Sequence, residues 1–317
     1  MKLILQFIIT EKEAGLRLDQ ALSQLCSDYS RAQWQDWIKE GAICIDGELI
    51  PKTRHKVQSG QIIDVNATTI DQGEWQAQEI PLDIVYEDED LLVINKPVGL
   101  VVHPGAGNPD LTLVNALLHY DPALKHIPRA GVVHRLDKDT SGLLVIARTL
   151  SSHNYLSKAI SERALVREYQ AIIHGELISG GTVDAPIDRH STQRVKMAVK
   201  SGGRDAVTHY RLLKKFPNFT HIKCELETGR THQIRVHMAH IGHPIVGDSL
   251  YGYARLNVPG KMTQALRDYI QHFPRQALHA WRLGMIHPST QAEMQWEVPL
   301  PKDMQELLKY ITQESSI

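Results

Sequence analysis

Two short β-branched runs bracket a single nine-residue loop, and that bracket constrains the fold more than any other stretch. Gly131-Val132-Val133 leads in, and Leu143-Leu144-Val145-Ile146-Ala147 leads out. Both are bounded by glycine or charge, so the pattern predicts strand, loop, strand, with the strands buried. The loop between them is His134-Arg135-Leu136-Asp137-Lys138-Asp139-Thr140-Ser141-Gly142. It concentrates positive charge, two carboxylates and two hydroxyls. A plain turn needs a Gly or an Asn rather than this much chemistry. Loops on buried strands are also where a rigid scaffold presents reactive groups.

A chain of 317 residues makes one large or two ordinary domains. With 42% hydrophobic and 22% charged residues it has material for a core and is not disordered throughout. A net charge of −1 excludes a uniformly basic nucleic-acid binder but leaves a localised basic face open. Cys26, Cys44 and Cys224 form no CxxC, which fits a reduced, cytoplasmic setting. The apolar patch Leu3 to Ile9 is broken by Gln6 and followed by charge. It is too short for a membrane span or signal peptide, so a first strand and no membrane association are expected.

Residues 1–75 read as a separate module with its core at about 15–65. Leu16, Leu18, Ala21, Leu22 and Leu25 recur at helical spacing. Ser30 is a candidate N-cap for a second helix, Arg31 to Glu40, which Gly41 would stop. A strand over Ala42 to Ile45, a turn at Asp46-Gly47, a strand through Ile50 and a closing strand from Gln61 to Val65 complete a small sheet. Residues 66–80 read as a linker, and 81–317 as the second domain. There a hairpin is expected around Glu87 to Asp90, with helices over Thr112 to His119 and Ser152 to Ala164. Strands are expected at Arg167 to Ile173, Ala206 to Leu213 and Thr220 to Glu227. Without a regular βαβ beat, this predicts an α+β domain built on a mixed, mostly antiparallel sheet with flanking helices.

Several residue sets invite chemistry. Asp137 and Asp139 form the D-x-D of a magnesium-dependent phosphotransferase, but His134 and Arg135 interrupt the lead-in, and no further acidic cluster completes a metal site. His232, His237, His240 and His243 suggest zinc, yet there is no H-E-x-x-H, and structural or RNA-facing roles fit better. The stretch Arg189 to Arg204 holds Arg189, Arg194, Lys196, Lys200 and Arg204, which makes a phosphate-contacting hairpin a fair reading. Arg31, Lys39, Lys52, Arg54 and Lys56 fall in or beside the N-terminal helix–turn–strand unit, where interspersed acids also allow an ordinary solvated face. Taken alone, Tyr169 reads as a half-buried strand residue and Arg235 as a helix-surface arginine.

Two resemblances sharpen this. Arg17-Leu18-Asp19, Ser30-Arg31, Ile43 to Gly47 and Val57 to Val65 resemble, in order, the αL RNA-binding domain first described in a ribosomal protein, with Gly60-Gln61 where that family usually has Gly-Asp. That implies binding to structured RNA through the second helix and the turn after it. Gly131 to Gly142 resembles the signature loop of the RluA-type RNA pseudouridine synthases. Val93 to Pro97 with Val102-His103-Pro104, Arg167-Glu168-Tyr169, Thr228 to His237 and Leu278-His279-Ala280 follow in the family's order.

The resemblance implies isomerisation of uridine to pseudouridine without cofactor or metal. It makes Asp137 the nucleophile, Arg235 its basic partner and Tyr169 the residue stacked on the target base. Arg135 would fill the space left by the flipped base, with His134 and Leu278 shaping the pocket. Asp139, Thr140 and Ser141 would shape the loop. The implied partner is 23S rRNA or a large-subunit precursor, with the helix 69 stem-loop as target, and the chain is expected to act as a monomer. A non-catalytic RNA-binding ribosome-assembly factor is the alternative.

Overall fold

The computed structural model describes residues 2–26, 29, 31–50, 52–68, 75–105, 107–193, 195–252 and 262–314. The chain divides into two compact units, 1–75 and 76–317.

The first unit contains β1 (Lys2–Ile8), α1 (Leu18–Leu25), α2 (Arg31–Lys39), β2 (Ile43–Ile45), β3 (Glu48–Leu49) and β4 (Ile62–Thr68). Its antiparallel sheet has the order β1-β4-β2-β3. The apolar faces of the two helices, with Leu18, Leu22, Trp34, Trp37 and Ile38, pack against Ile43, Ile63 and Val65. Trp34 and Trp37 meet edge to face at 5.2 Å. Asp46 and Gly47 both take positive φ, which suits the tight turn between β2 and β3. The candidate N-cap Ser30 lies outside the described residues. Strand β4 runs to Thr68, inside the stretch read as linker, because residues 66–68 find partners in residues 2–4 of β1. Residues 69–74 of that stretch lie outside the described residues.

The second unit opens with β5 (Ile84–Glu87), β6 (Leu91–Lys96), α3 (Leu113–Tyr120), β7 (Ser141–Ala147), α4 (Leu150–Ser161) and β8 (Val166–His174). It continues with β9 (Gly181–Asp184), β10 (Ile187–Arg189), β11 (Met197–Val199), β12 (Val207–Phe216), β13 (Phe219–Leu226) and α5 (Gln233–His240). It ends with α6 (Gln264–Gln271), β14 (Leu278–Ile286), β15 (Glu293–Glu297) and α7 (Lys302–Glu314). Nine strands form one sheet, ordered β5-β6-β7-β14-β8-β13-β12-β9, with β15 on β14. Every pairing is antiparallel except β7 with β14. The sheet is therefore mixed and mostly antiparallel, as the sequence predicts.

Strand β7 lies near the middle of this sheet and is buried at every position, which is why it reads as an unbroken apolar run. The expected lead-in strand differs. Arg129, Ala130 and Gly131 all have positive φ, and Val132 makes a single bridge, to Ile146. The backbone there is pressed against β7, and a Cβ on Gly131 would meet the Ala147 carbonyl oxygen at 2.0 Å.

The loop that follows is held from several sides. The fully buried Lys96 ammonium donates to the carbonyls of Pro97 (2.8 Å), Leu100 (3.0 Å) and Lys138 (3.0 Å). Burial pulls its pKa down to about 7, against the attraction of Asp139 and Asp137. Arg275 donates to the Asp139 carbonyl (3.2 Å), Gln276 to the Thr140 hydroxyl (3.1 Å), and Ser141 shares a hydrogen bond with His279 (2.9 Å).

Gly142 lies in the parallel approach of β7 to β14, opposite Ala280. It has φ +114, and a Cβ there would meet the Ala280 carbonyl oxygen at 2.1 Å. Gly142→Ala is expected to cost about 3 kcal/mol of stability, combining backbone strain with the forced separation of two core strands. Urea denaturation checks this, and a loss below about 1 kcal/mol would show that the strands part easily.

Candidate active site

The site begins at α5. Its N-cap, His232, takes the left-handed conformation (φ 57, ψ 20), and residues 233–238 of the helix are all buried. Arg235 is therefore not a surface arginine: it is only 6% exposed. Its Nε and Nη2 donate to the two carboxylate oxygens of Asp248 at 2.7 and 2.9 Å, and its Nη1 donates to Asp137 Oδ2 at 2.9 Å. One guanidinium thus joins two carboxylates, with the paired geometry reserved for Asp248. Burial opposes the charge of Arg235, but the bonds and attraction of Asp248 and Asp137 outweigh it and raise its pKa. Burial likewise opposes ionisation of Asp248, and its bonds from Arg235 and from the Tyr251 and Leu250 amides reverse the balance and lower its pKa.

Tyr251 completes the base of the site. The Arg235 guanidinium lies 5.1 Å from its ring centre. Its hydroxyl accepts from the Met197 amide (2.7 Å) and lies 2.8 Å from His232 Nδ1. The other ring nitrogen of His232, Nε2, lies 3.9 Å from Asp137 Oδ1.

Asp137, Arg235, Tyr169 and Leu278 line one cleft of about 430 Å³, together with His134 and Arg135. Tyr169 comes from β8, opposite Cys224 of β13 and Ala280 of β14. Burial pushes its phenol up to about 12, so it is neutral at physiological pH. Leu278 opens β14 and is buried, while Arg135 is exposed. The ring of His134 has a more local job. Its Nε2 accepts the Val145 amide at 3.1 Å and so fastens the loop to β7. Burial lowers its pKa to about 3, with Arg167 acting in the same direction.

Of the basic residues in the second unit, Arg189, Lys196, Lys200 and Arg204 do not line the cleft. Arg189, Lys200 and Arg204 are exposed and Lys196 is half-buried, in and beside the β10–β11 hairpin. Arg194 lies outside the described residues. In the first unit Lys52, Arg54 and Lys56 are exposed on the irregular stretch between β3 and β4. Lys39 is exposed, 3.4 Å from Asp36. Arg31 is tied, with Arg17, to the buried carboxylate of Asp19 at 2.9 Å.

Among the described residues no group of three His, Cys, Asp or Glu could hold a metal ion. His237 is spent on Thr208 Oγ1 and the Ala185 carbonyl, both at 2.9 Å. The D-x-D loop runs directly into β7 rather than into a crossover helix, contrary to a phosphotransferase. Sequence reasoning overlooked Asp248 and Tyr251 as partners of Arg235. The available signal was Ile245-Val246-Gly247-Asp248, an acid after a glycine at the end of an apolar run, with an aromatic three residues on.

Two outcomes follow from this geometry. Asp248→Asn removes the charge and one of the two acceptor oxygens that hold Arg235, so turnover should fall about 100-fold with little change in KM. Unchanged kcat in the folded variant would show that Asp248 does not orient the site. Secondly, burial lowers the pKa of His134 to about 3 and those of His174 and His279 to about 4. As pH falls below about 6.5 the unfolded chain takes up protons that the folded one refuses, so stability is lost progressively towards pH 4. Acid-dependent urea denaturation should show this slope, and His134→Gln should make it shallower by about one proton.

Comparison with known proteins agrees with this architecture. A family model described as RNA pseudouridylate synthase matches residues 90–240, and an S4 domain model matches residues 16–63. The Ribosomal large subunit pseudouridine synthase D of Escherichia coli O157:H7 is 50% identical over 301 residues, covering 95% of this chain and 92% of that protein. The protein of the same name from Pseudomonas aeruginosa is 52% identical over 300 residues, covering 95% and 93%. Among solved structures, Human RNA Pseudouridylate Synthase Domain Containing 4 superposes with a TM-score of 0.57 at 28% identity, covering 73% of this chain and 93% of that one. Among the described residues no helix is long and apolar enough to cross a membrane. With an S4 domain in front and the signature loop carrying Asp137 at the centre of its sheet, the chain belongs to the RluA-type family of RNA pseudouridine synthases.

Proposed function

We propose that the protein isomerises uridines to pseudouridine in 23S rRNA, with the helix 69 stem-loop as target and Asp137 as the nucleophile. The observation that carries this reading is the Asp137 carboxylate held through Oδ2 by Arg235 in the cleft that Tyr169 also lines. Among the described residues Oδ1 takes no hydrogen bond, which keeps that oxygen available for attack. The base must leave its stack before the glycosidic bond can be reached, at a cost of a few kcal/mol. Tyr169 offers the stacking surface inside the cleft, and exposed Arg135 fills the gap outside. Leu278 walls the pocket.

Attack of Asp137 on C1′ breaks the C1′–N1 bond and releases uracil as an anion. Rotation brings C5 to C1′, the C5–C1′ bond forms as the carboxylate leaves, and the C5 proton is lost while N1 gains one. With its phenol neutral up to about pH 12, Tyr169 acts as stacking surface and hydrogen-bond donor during this exchange. Arg189, Arg194, Lys196, Lys200 and Arg204 would grip the phosphate backbone of the folded RNA, and Arg31, Lys39, Lys52, Arg54 and Lys56 would serve the S4 domain in the same way. No cofactor or metal enters this scheme. A monomer in the cytoplasm suits it, and Cys44 and Cys224 are free thiols.

Asp137→Asn should lower pseudouridine formation at least about 1,000-fold while leaving RNA affinity within a few-fold of wild type. Pseudouridine mapping of 23S rRNA from a strain lacking the protein, complemented with either form, supplies the readout. Substantial activity of the variant would remove Asp137 from the role of nucleophile. An unaltered map in the deletion strain would instead favour the non-catalytic assembly factor.

A further inference from the structure

Arg167 is a buried cation with no counter-ion of its own among the described residues. It is 5% exposed, and it shares the cleft with Tyr169, two residues along the same face of β8. Both acids that flank it are committed elsewhere. Glu168 points to the opposite face of the sheet, where it accepts from Lys223 (2.8 Å) and lies 3.5 Å from Arg282. Glu227 is held by Arg163 and by His209 at 2.7 Å. What remains for Arg167 is two long contacts from Nη2, to the Leu226 and Glu227 carbonyls at 3.5 and 3.4 Å. Its Nε has no hydrogen-bond partner among the described residues.

An uncompensated buried guanidinium is costly, and it persists where a ligand supplies the missing anion. Three further observations agree. Burial lowers the pKa of Arg167, only partly offset by Tyr169. The turn over the guanidinium carries Gly229, where a Cβ would lie 2.9 Å from Arg167 Nη1 and would push the end of the guanidinium aside. Arg163 and Arg230 also line the cleft, Arg163 paired with Glu227.

We propose that Arg167 binds a backbone phosphate of the nucleotide whose base enters the cleft, a phosphodiester subsite one strand-step from the stacking tyrosine. An RNA brings one full negative charge per residue, on its phosphate, and a fully charged buried partner selects that group over the neutral carbonyls of the base. Residues i and i+2 of a strand stand roughly 6.6 Å apart, enough to address base and phosphate of one nucleotide separately. The subsite lets the enzyme hold the flipped nucleotide by its backbone while the base, detached from the sugar, turns over Tyr169.

This inference rests on the reading that the cleft accepts a ribonucleotide, and its test is kept separate from turnover. Binding is measured with the Asp137→Asn protein, with and without Arg167→Met, on the 23S rRNA stem-loop that the wild type modifies. Each phosphate flanking the target uridine is replaced in turn by an uncharged methylphosphonate. One replacement should weaken binding roughly ten- to a hundred-fold when Arg167 is present and leave it unchanged when Arg167 is methionine. Arg167→Lys should recover part of the loss at that same phosphate. Should Arg167→Met fail to fold, as judged by thermal unfolding, Arg167→Lys and Arg167→Gln run the same cycle. Losses that multiply at every phosphate would overturn the subsite and leave Arg167 a buttress of the Leu226–Thr228 turn or a contact to the base. Pseudouridine formation by the wild type on the unsubstituted stem-loop tests the reaction itself, so the two failures are distinguishable.

Discussion

One guanidinium shared by two carboxylates holds the site together. Asp248 is fully buried and would be intolerable there without Arg235, and Arg235 is buried enough to need both acids. Truncating one member of such a pair commonly costs about 3–5 kcal/mol, because a charge is stranded. The asymmetry of the arrangement matters as much as its strength. Asp248 occupies two donors and is backed by two amides, whereas Asp137 takes a single donor and faces the cleft. The first carboxylate fixes the arginine, and the arginine then fixes one oxygen of the second. The reactive group is oriented without being consumed.

Placing those groups within reach is the work of the sheet. Asp137 precedes β7, Leu278 opens β14 and Tyr169 sits on β8, and these three strands are neighbours. The β7–β14 contact is the one parallel pairing among the described residues, and in it Gly142 passes close to the Ala280 carbonyl. A side chain at that point would push the nucleophile's loop away from the wall of its own pocket. Close backbone approach and catalytic geometry are thus one requirement. His134, pinned to the Val145 amide, and the Arg275 and Gln276 bonds to the loop serve the same end from other directions.

The elements with strong local patterns were legible in the sequence: the apolar β7, the helical spacing of α1, the Asp46-Gly47 turn and the alternation of β8. The mixed sheet followed from the absence of a βαβ beat. The Gly131 to Val133 lead-in was misread as a strand because short apolar runs look alike whether they pair along their length or touch at one bridge. Strand β4 ran past its expected end because Asn66-Ala67-Thr68 has no strong apolar pattern in sequence, and its partners in β1 and at the Ala42 carbonyl appear only in the fold. Arg235 carried no local sign of burial, since what buries it is a carboxylate 13 residues on and another 98 residues back. Asp248 and Tyr251 went unnoticed for the same reason: their meaning lies in a partner, not in a pattern.

Lys96 has a chemical consequence of its own. All three protons of its ammonium are given to carbonyls, and the neutral amine, the nucleophile that acylating reagents capture, could keep only two of those bonds. In the folded protein the nitrogen is sealed among three carbonyls, beyond the reach of any reagent in solution. It becomes modifiable only when the loop that presents Asp137 lets go of its anchor. The rate at which Lys96 acquires such a label therefore clocks the opening of that loop, and bound RNA that holds the loop shut would slow the clock.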